Sequence, residues 1–100
     1  MGATRTIVIS GGADGIGRAT ARAFAQLGDY VVVADNAPDR GERTVGEIIA
    51  EGGSAEFQFL DVRDKASVDQ TIEQTLARRG SIDVAVANAG IVRRSRQLRR

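Results

Sequence analysis

Eight residues near the start of the chain, Ser10-Gly11-Gly12-Ala13-Asp14-Gly15-Ile16-Gly17, carry the most informative chemistry. They follow a β-branched apolar run, Thr6-Ile7-Val8-Ile9, and precede a stretch in which Ile16, Ala19, Ala23, Phe24 and Leu27 recur at helical spacing. A strand, a glycine turn and a helix in that order bring a phosphate against backbone. The first N–H groups of the helix are free, and they carry about half a positive charge. Glycine lets the chain turn sharply and lets a phosphate approach where a Cβ would collide. Two common glycine spacings fail here. Gly12-x4-Gly17 is followed by Arg18-Ala19 and not by the Lys-Ser/Thr of a P-loop, and a G-x-G-x-x-G reading from Gly15 and Gly17 meets Thr20. The spacing present is Gly11-x3-Gly15-x-Gly17. Other chemistries are excluded by composition. The chain has no histidine and no cysteine, so it holds no imidazole triad, thiolate nucleophile, zinc site that needs imidazole or thiolate, or disulfide framework.

The elements that must position this turn follow from periodicity. The helix that opens at Gly15 should close at Gly28. Tyr30-Val31-Val32-Val33-Ala34 reads as a strand covered on both faces. Asp35 to Asp39 is loop chemistry, and the next helix should turn Val45, Ile48 and Ile49 inward, pair Arg43 with Glu47, and stop at Gly52-Gly53. Between Ala55 and Leu60, Phe57 and Phe59 alternate with Glu56 and Gln58, which predicts a half-exposed strand at a sheet edge. Asp64 is a suitable N-cap for a helix with Val68, Ile72 and Leu76 inward and Gly80 at its end. A last strand is expected over Ile82 to Ala87. The series βαβαβαβ predicts an α/β fold with a parallel sheet and right-handed crossovers.

The octapeptide resembles the Thr-Gly-x3-Gly-x-Gly motif of the short-chain dehydrogenase/reductase family, with Ser10 in place of the threonine. The resemblance implies a Rossmann-like sheet in strand order 3-2-1-4, the first two helices on one face and the third on the other. It implies that Gly11, Gly15 and Gly17 shape a pyrophosphate turn, with Ile16 packed near it. Asp35 lies 18 residues after Gly17 at the end of the second strand. A carboxylate there can accept hydrogen bonds from both adenosine-ribose hydroxyls and would repel a 2′-phosphate. Asn36 adjoins it and is grouped with the same site. Asp14 stands where NADP-preferring relatives often place a basic residue, so both acids argue for NAD over NADP. Asp61-Val62 resembles the family's adenine-holding Asp-Val pair. Asn88-Ala89-Gly90 resembles its Asn-Asn-Ala-Gly motif, with Ala87 replacing the first asparagine, and Gly80-Ser81-Ile82-Asp83 matches the usual approach to that strand. The resemblance covers residues 5 to about 92.

The family's chemistry requires a tyrosine, a lysine four residues later and a carbonyl-orienting serine. The one tyrosine, Tyr30, is followed four residues later by Ala34, and the one lysine, Lys65, is preceded by Asp61. Tyr30 should sit at the wrong end of the sheet for catalysis. The expectation is therefore a dinucleotide-binding portion, truncated after the fourth strand, without catalytic residues of its own. A non-catalytic nucleotide- or partner-binding module is the alternative. The fourth strand, with Val84 and Val86 on one side and Ala85 and Ala87 on the other, would be an uncovered edge that invites self-association.

Composition sets the remaining bounds. The 100 residues are 42% hydrophobic and 27% charged, with 12 glycines and one proline, as for one ordinary domain. No apolar run approaches the ~18 residues of a membrane span, and the lack of cysteine fits a reducing cytoplasm. The formal charge of +1 hides an asymmetry: residues 1–92 hold nine Lys/Arg against 13 Asp/Glu, while residues 93–100 hold five arginines and no acid. This divides the chain into a domain over 1–92 and a basic tail over 93–100. Five charges without interleaved aromatics make a weak nucleic-acid footprint, so nucleic acid is not the expected partner.

Overall fold

Tyr30 to Ala34 forms the centre of the molecule because nothing in it is polar past the first ring. In the computed structural model, which describes residues 4–88, Val31, Val32, Val33 and Ala34 are all 0% exposed. Among the described residues seven elements alternate: β1 (Thr6–Ser10), α1 (Gly15–Gln26), β2 (Tyr30–Asp35), α2 (Pro38–Ala50), β3 (Ser54–Phe59), α3 (Lys65–Arg79) and β4 (Val84–Ala87). The strands form one parallel sheet in the order β3-β2-β1-β4. It is a Rossmann-like α/β sheet. Ile7 pairs with Val31 and Val84, and Val33 pairs with Phe57, so one apolar layer runs across all four strands.

The pleat divides the core in two. Ile7, Ile9, Val31 and Val33 meet Ala21 and Ala25 of α1 and Val45 and Ile48 of α2 on one face. Val8, Val32, Ala34 and Leu60 occupy the other, with Val68 of α3 packed against them. The buried positions of α1 are Gly17, Ala21 and Ala25, all small and four apart, which lets the helix lie close on the sheet. Gly28 and Gly80 follow α1 and α3 in the left-handed conformation, as their places in the sequence predict.

Several local expectations are corrected. The segment 35–39 is not all loop, because Pro38 opens α2 at a position where its fixed φ suits a helix and its missing N–H costs nothing. β4 starts at Val84 and not at Ile82. The Asp83 carboxylate accepts the Thr6 N–H at 2.7 Å, so a side chain occupies the first rung of the ladder. Arg43 does not take Glu47. That carboxylate receives the Arg18 guanidinium through two bonds of 2.8 and 2.9 Å, a forked geometry that an i,i+4 neighbour does not match. Ile49 and Leu76 are 55% and 40% exposed. On α3 the residues turned fully inward are Thr71 and Thr75, one position from the apolar row read from the sequence. β3 is an edge strand, but its polar side is not the wet one. Gln58 is buried, and Glu56 is bound by Tyr30, Gln58 and Arg78, while Phe59 is exposed. Phe57 lies against Gly41 of α2.

Candidate functional site

The turn after β1 is built on the end of β2. The N–H groups of Gly11 and Gly12 donate to the Ala34 carbonyl at 2.8 and 3.4 Å, and the Ala13 N–H donates to Asp35 Oδ2 at 3.1 Å. Gly11 and Gly15 adopt φ of 73° and 55°, which a side chain would resist. Gly17 is required for a different reason. A Cβ there would lie 1.9 Å from the Gly11 carbonyl oxygen, so α1 can start against the turn only without a side chain. Asn88 braces the same place from β4: its N–H donates to the Ser10 carbonyl at 3.1 Å, and its Nδ2 reaches the Gly11 carbonyl at 3.5 Å.

Asp14 is the N-cap of α1, yet its side chain caps nothing. The carboxylate turns aside to Arg40 Nε at 2.7 Å. The first bond within α1 runs from the Arg18 N–H to the Asp14 carbonyl at 3.1 Å, so the Gly15, Ile16 and Gly17 amides precede the helical ladder. No acidic side chain stands in the first turn. An anion placed there would find amide donors and the positive end of the helix dipole.

Asp35 ends β2 half-buried. It accepts the Ala13 N–H through Oδ2 and the Ala37 N–H through Oδ1, at 3.1 Å each. A carboxylate offers about four lone-pair sites, so these bonds leave capacity for further donors. The Leu60 N–H donates to the Asp35 carbonyl at 2.9 Å, which sets Asp61 beside this corner. Asp61 accepts the Arg63 N–H at 3.0 Å and the Arg63 guanidinium at 3.2 Å, and these bonds hold its carboxyl below the ordinary value. Val62 is 50% exposed next to it. Gly11, Asp14, Gly15, Gly17, Asp35, Asn36, Asp61, Val62 and Asn88 thus all lie at or just beyond the C-terminal ends of the four strands, where open α/β sheets bind ligands.

Two sequence expectations fare differently. Ile16 lies between Gly15 and Gly17 in the first turn of α1. It is 75% exposed, because it sits on the outward side of the first turn of α1. Ala89, Gly90 and the tail 93–100 lie outside the described residues. Sequence reasoning also missed two residues that touch the turn, Arg40 and Thr44, both on α2. Their spacing of four is the only signal, and a solvated helix face carries the same one. Tyr30 lies at the opposite end of the sheet with its hydroxyl on Glu56 Oε1 at 2.9 Å and Arg79 3.7 Å over its ring. Burial and the Glu56 carboxylate push that hydroxyl above its ordinary pKa. Among the described residues, no group of three or more His, Cys, Asp or Glu side chains is placed to hold a metal ion.

A family model described as short chain dehydrogenase matches residues 5–99. The chain belongs to that family. The chain is 44% identical over 87 residues to the uncharacterized oxidoreductase YxbG of Bacillus subtilis (strain 168), covering 87% of the chain and 32% of the relative. It is 39% identical over 85 residues to 2,3-dihydro-2,3-dihydroxybenzoate dehydrogenase of the same organism, covering 85% and 33%. Among solved structures, hydroxysteroid dehydrogenase from Escherichia coli matches with a TM-score of 0.83 and 31% identity over 87% of this chain and 37% of that one. A metagenomic short-chain oxidoreductase in complex with NADP also has a TM-score of 0.83, with 33% identity over 87% and 39%. The chain spans about a third of the length of the curated relatives it matches. Short chain dehydrogenases as a family bind a nicotinamide dinucleotide. No helix among the described residues is long and apolar enough to cross a membrane.

Proposed function

We propose that these residues form the NAD-binding part of a cytoplasmic oxidoreductase that moves a hydride between the coenzyme and an alcohol or carbonyl compound. The binding unit would be the domain over 1–92, with 93–100 as a basic appendage. The carrying observation is the juxtaposition of the uncapped amides of α1 with the Asp35 carboxylate, joined through Ala13. When bound, the coenzyme supplies a nicotinamide that accepts or gives the hydride. The chain supplies the glycine turn for the diphosphate, Asp35 with Asn36 for the adenosine ribose, and Asp61 and Val62 for the adenine. Asn88, with Ala89 and Gly90 by their resemblance to the family's motif, would line the coenzyme and steady the sheet.

Preference for NAD over NADP rests on Asp35 more than on Asp14. The charge of Asp14 is already met by Arg40, whereas Asp35 accepts only neutral N–H donors in the hydrogen bonds described above. Competitive titration with NAD and NADP tests this. NAD should bind the tighter of the two, and Asp35→Ala should weaken it by about 10- to 100-fold while narrowing the gap to NADP, because a charge-assisted bond is worth roughly 1.5–3 kcal/mol. Equal affinity of the unaltered chain for both coenzymes would remove the preference.

These 100 residues contain no Tyr-x-x-x-Lys, so binding without turnover is the expected behaviour in a hydride-transfer assay across alcohols. The outer edge of β4 pairs with no other described strand, and Ala85 on it is exposed. Such an edge favours pairing with a second chain. Light scattering should therefore report species larger than the monomer, and a cooperative monomer at high concentration would argue against it.

A further inference from the structure

Ala13, in the middle of the glycine turn, is 2% exposed and is held at both of its backbone polar groups. Its N–H goes to Asp35 Oδ2 at 3.1 Å, and its carbonyl accepts the Thr44 hydroxyl at 3.1 Å. Thr44 is 0% exposed and lies in the second turn of α2, 31 residues further along the chain. Both peptide planes flanking Ala13 are trans. In a trans peptide the carbonyl and the following N–H point in opposite directions. A carbonyl pinned toward α2 therefore turns the Asp14 N–H away from α2, and the Asp35 bond fixes the plane before it. These are the last two planes before the N-cap of α1, so their orientation decides where the first amides of that helix aim.

We propose that Thr44 is a positioning residue for diphosphate recognition: through the Ala13 carbonyl, it sets the direction of the amides that receive the phosphates. This inference rests on the dinucleotide reading above. It differs from a general packing role because the loss on removing the hydroxyl should fall on phosphate-bearing probes alone.

Calorimetry on the full chain with NAD, ADP and adenosine tests it, using Thr44→Val, which keeps the shape and removes the donor, and Thr44→Ser, which keeps the donor. Thr44→Val should weaken NAD and ADP by roughly 3- to 10-fold, the worth of about one net hydrogen bond, and leave adenosine unchanged. Thr44→Ser should stay near the unaltered chain. Unchanged ADP affinity in Thr44→Val overturns the inference, and so does an equal loss for adenosine, which would mark general damage. Should circular dichroism find Thr44→Val unfolded, Thr44→Cys, with a weak S–H donor, should give an intermediate ADP affinity; an affinity equal to that of the unaltered chain overturns the inference. If the unaltered chain binds neither NAD nor ADP, the dinucleotide reading itself fails and takes this inference with it. Binding by the unaltered chain and by Thr44→Val alike removes only the role of Thr44.

Discussion

Two helices of this chain begin with an aspartate in the same capping position and end up in opposite states. Asp64, with extended backbone, accepts the Ala66 N–H at 3.0 Å and closes the start of α3 on itself. Asp14, also extended, leaves the start of α1 open and gives its carboxylate to Arg40. Residue type at the cap is therefore insufficient to say whether a helix start is sealed. A competing cation from another element can draw the carboxylate away, and the amides left behind become available to an outside anion. α3 is closed and structural, whereas α1 is held open by its neighbour.

The contrast can be broken from either side. The largest effect is expected at the open end. Gly17→Ala puts a methyl group into the Gly11 carbonyl, and relieving such overpacking costs about 1–3 kcal/mol. NAD affinity should fall by roughly 10- to 100-fold, as read by calorimetry. Next comes the closed end, where Asp64→Ala should lower urea stability by ~1 kcal/mol through the lost cap.

A smaller effect belongs to the far end of α3, where Glu56 ties the helix to the sheet. Burial alone would raise the Glu56 pKa, but the bonds from Gln58, Arg78 and Tyr30 outweigh it and hold the carboxyl below its ordinary value. The stabilisation is thus present above the unfolded carboxylate pKa of about 4.3 and is lost as pH falls through the lower folded-state value. Amide protection in α3, corrected for the intrinsic exchange rate, should be high at pH 5 and fall below that range, and Glu56→Gln should flatten the response. The smallest effect is expected for Asp14→Ala. Its ion pair with Arg40 is solvent-exposed on both sides, so urea stability should change by under about 0.5 kcal/mol, in contrast to Asp64→Ala.

Most of the architecture was legible because it depends on features that repeat along the chain. Val31 to Ala34 could only be a doubly covered strand, and Gly28 and Gly80 mark helix ends by conformation alone. The glycine spacing similarly announced the turn, since Gly11, Gly15 and Gly17 answer to backbone sterics that any fold must respect. What stayed hidden is the choice of polar partner. Glu47 could meet Arg43 along its own helix or Arg18 across the groove, and only the packing of α1 on α2 selects the second. Thr44 gives no sign in the sequence that its hydroxyl lies under the turn. The inward side of α3 differs from the apolar row for a related reason: the Thr71 hydroxyl donates to the Phe59 carbonyl at 3.3 Å, a partner on β3 that a hydrophobic count does not register.

The fully buried positions of α1, Gly17, Ala21 and Ala25, carry nothing larger than a methyl group, and half-buried Phe24 packs beside them against the core. Long side chains would act as compressible spacers with several rotamers, and at those three positions there are none. At Gly17 a tilt toward the turn would press the helix against the Gly11 carbonyl. The open end of α1 is therefore seated directly on the turn, and an anion approaching it would meet donors with little room to shift.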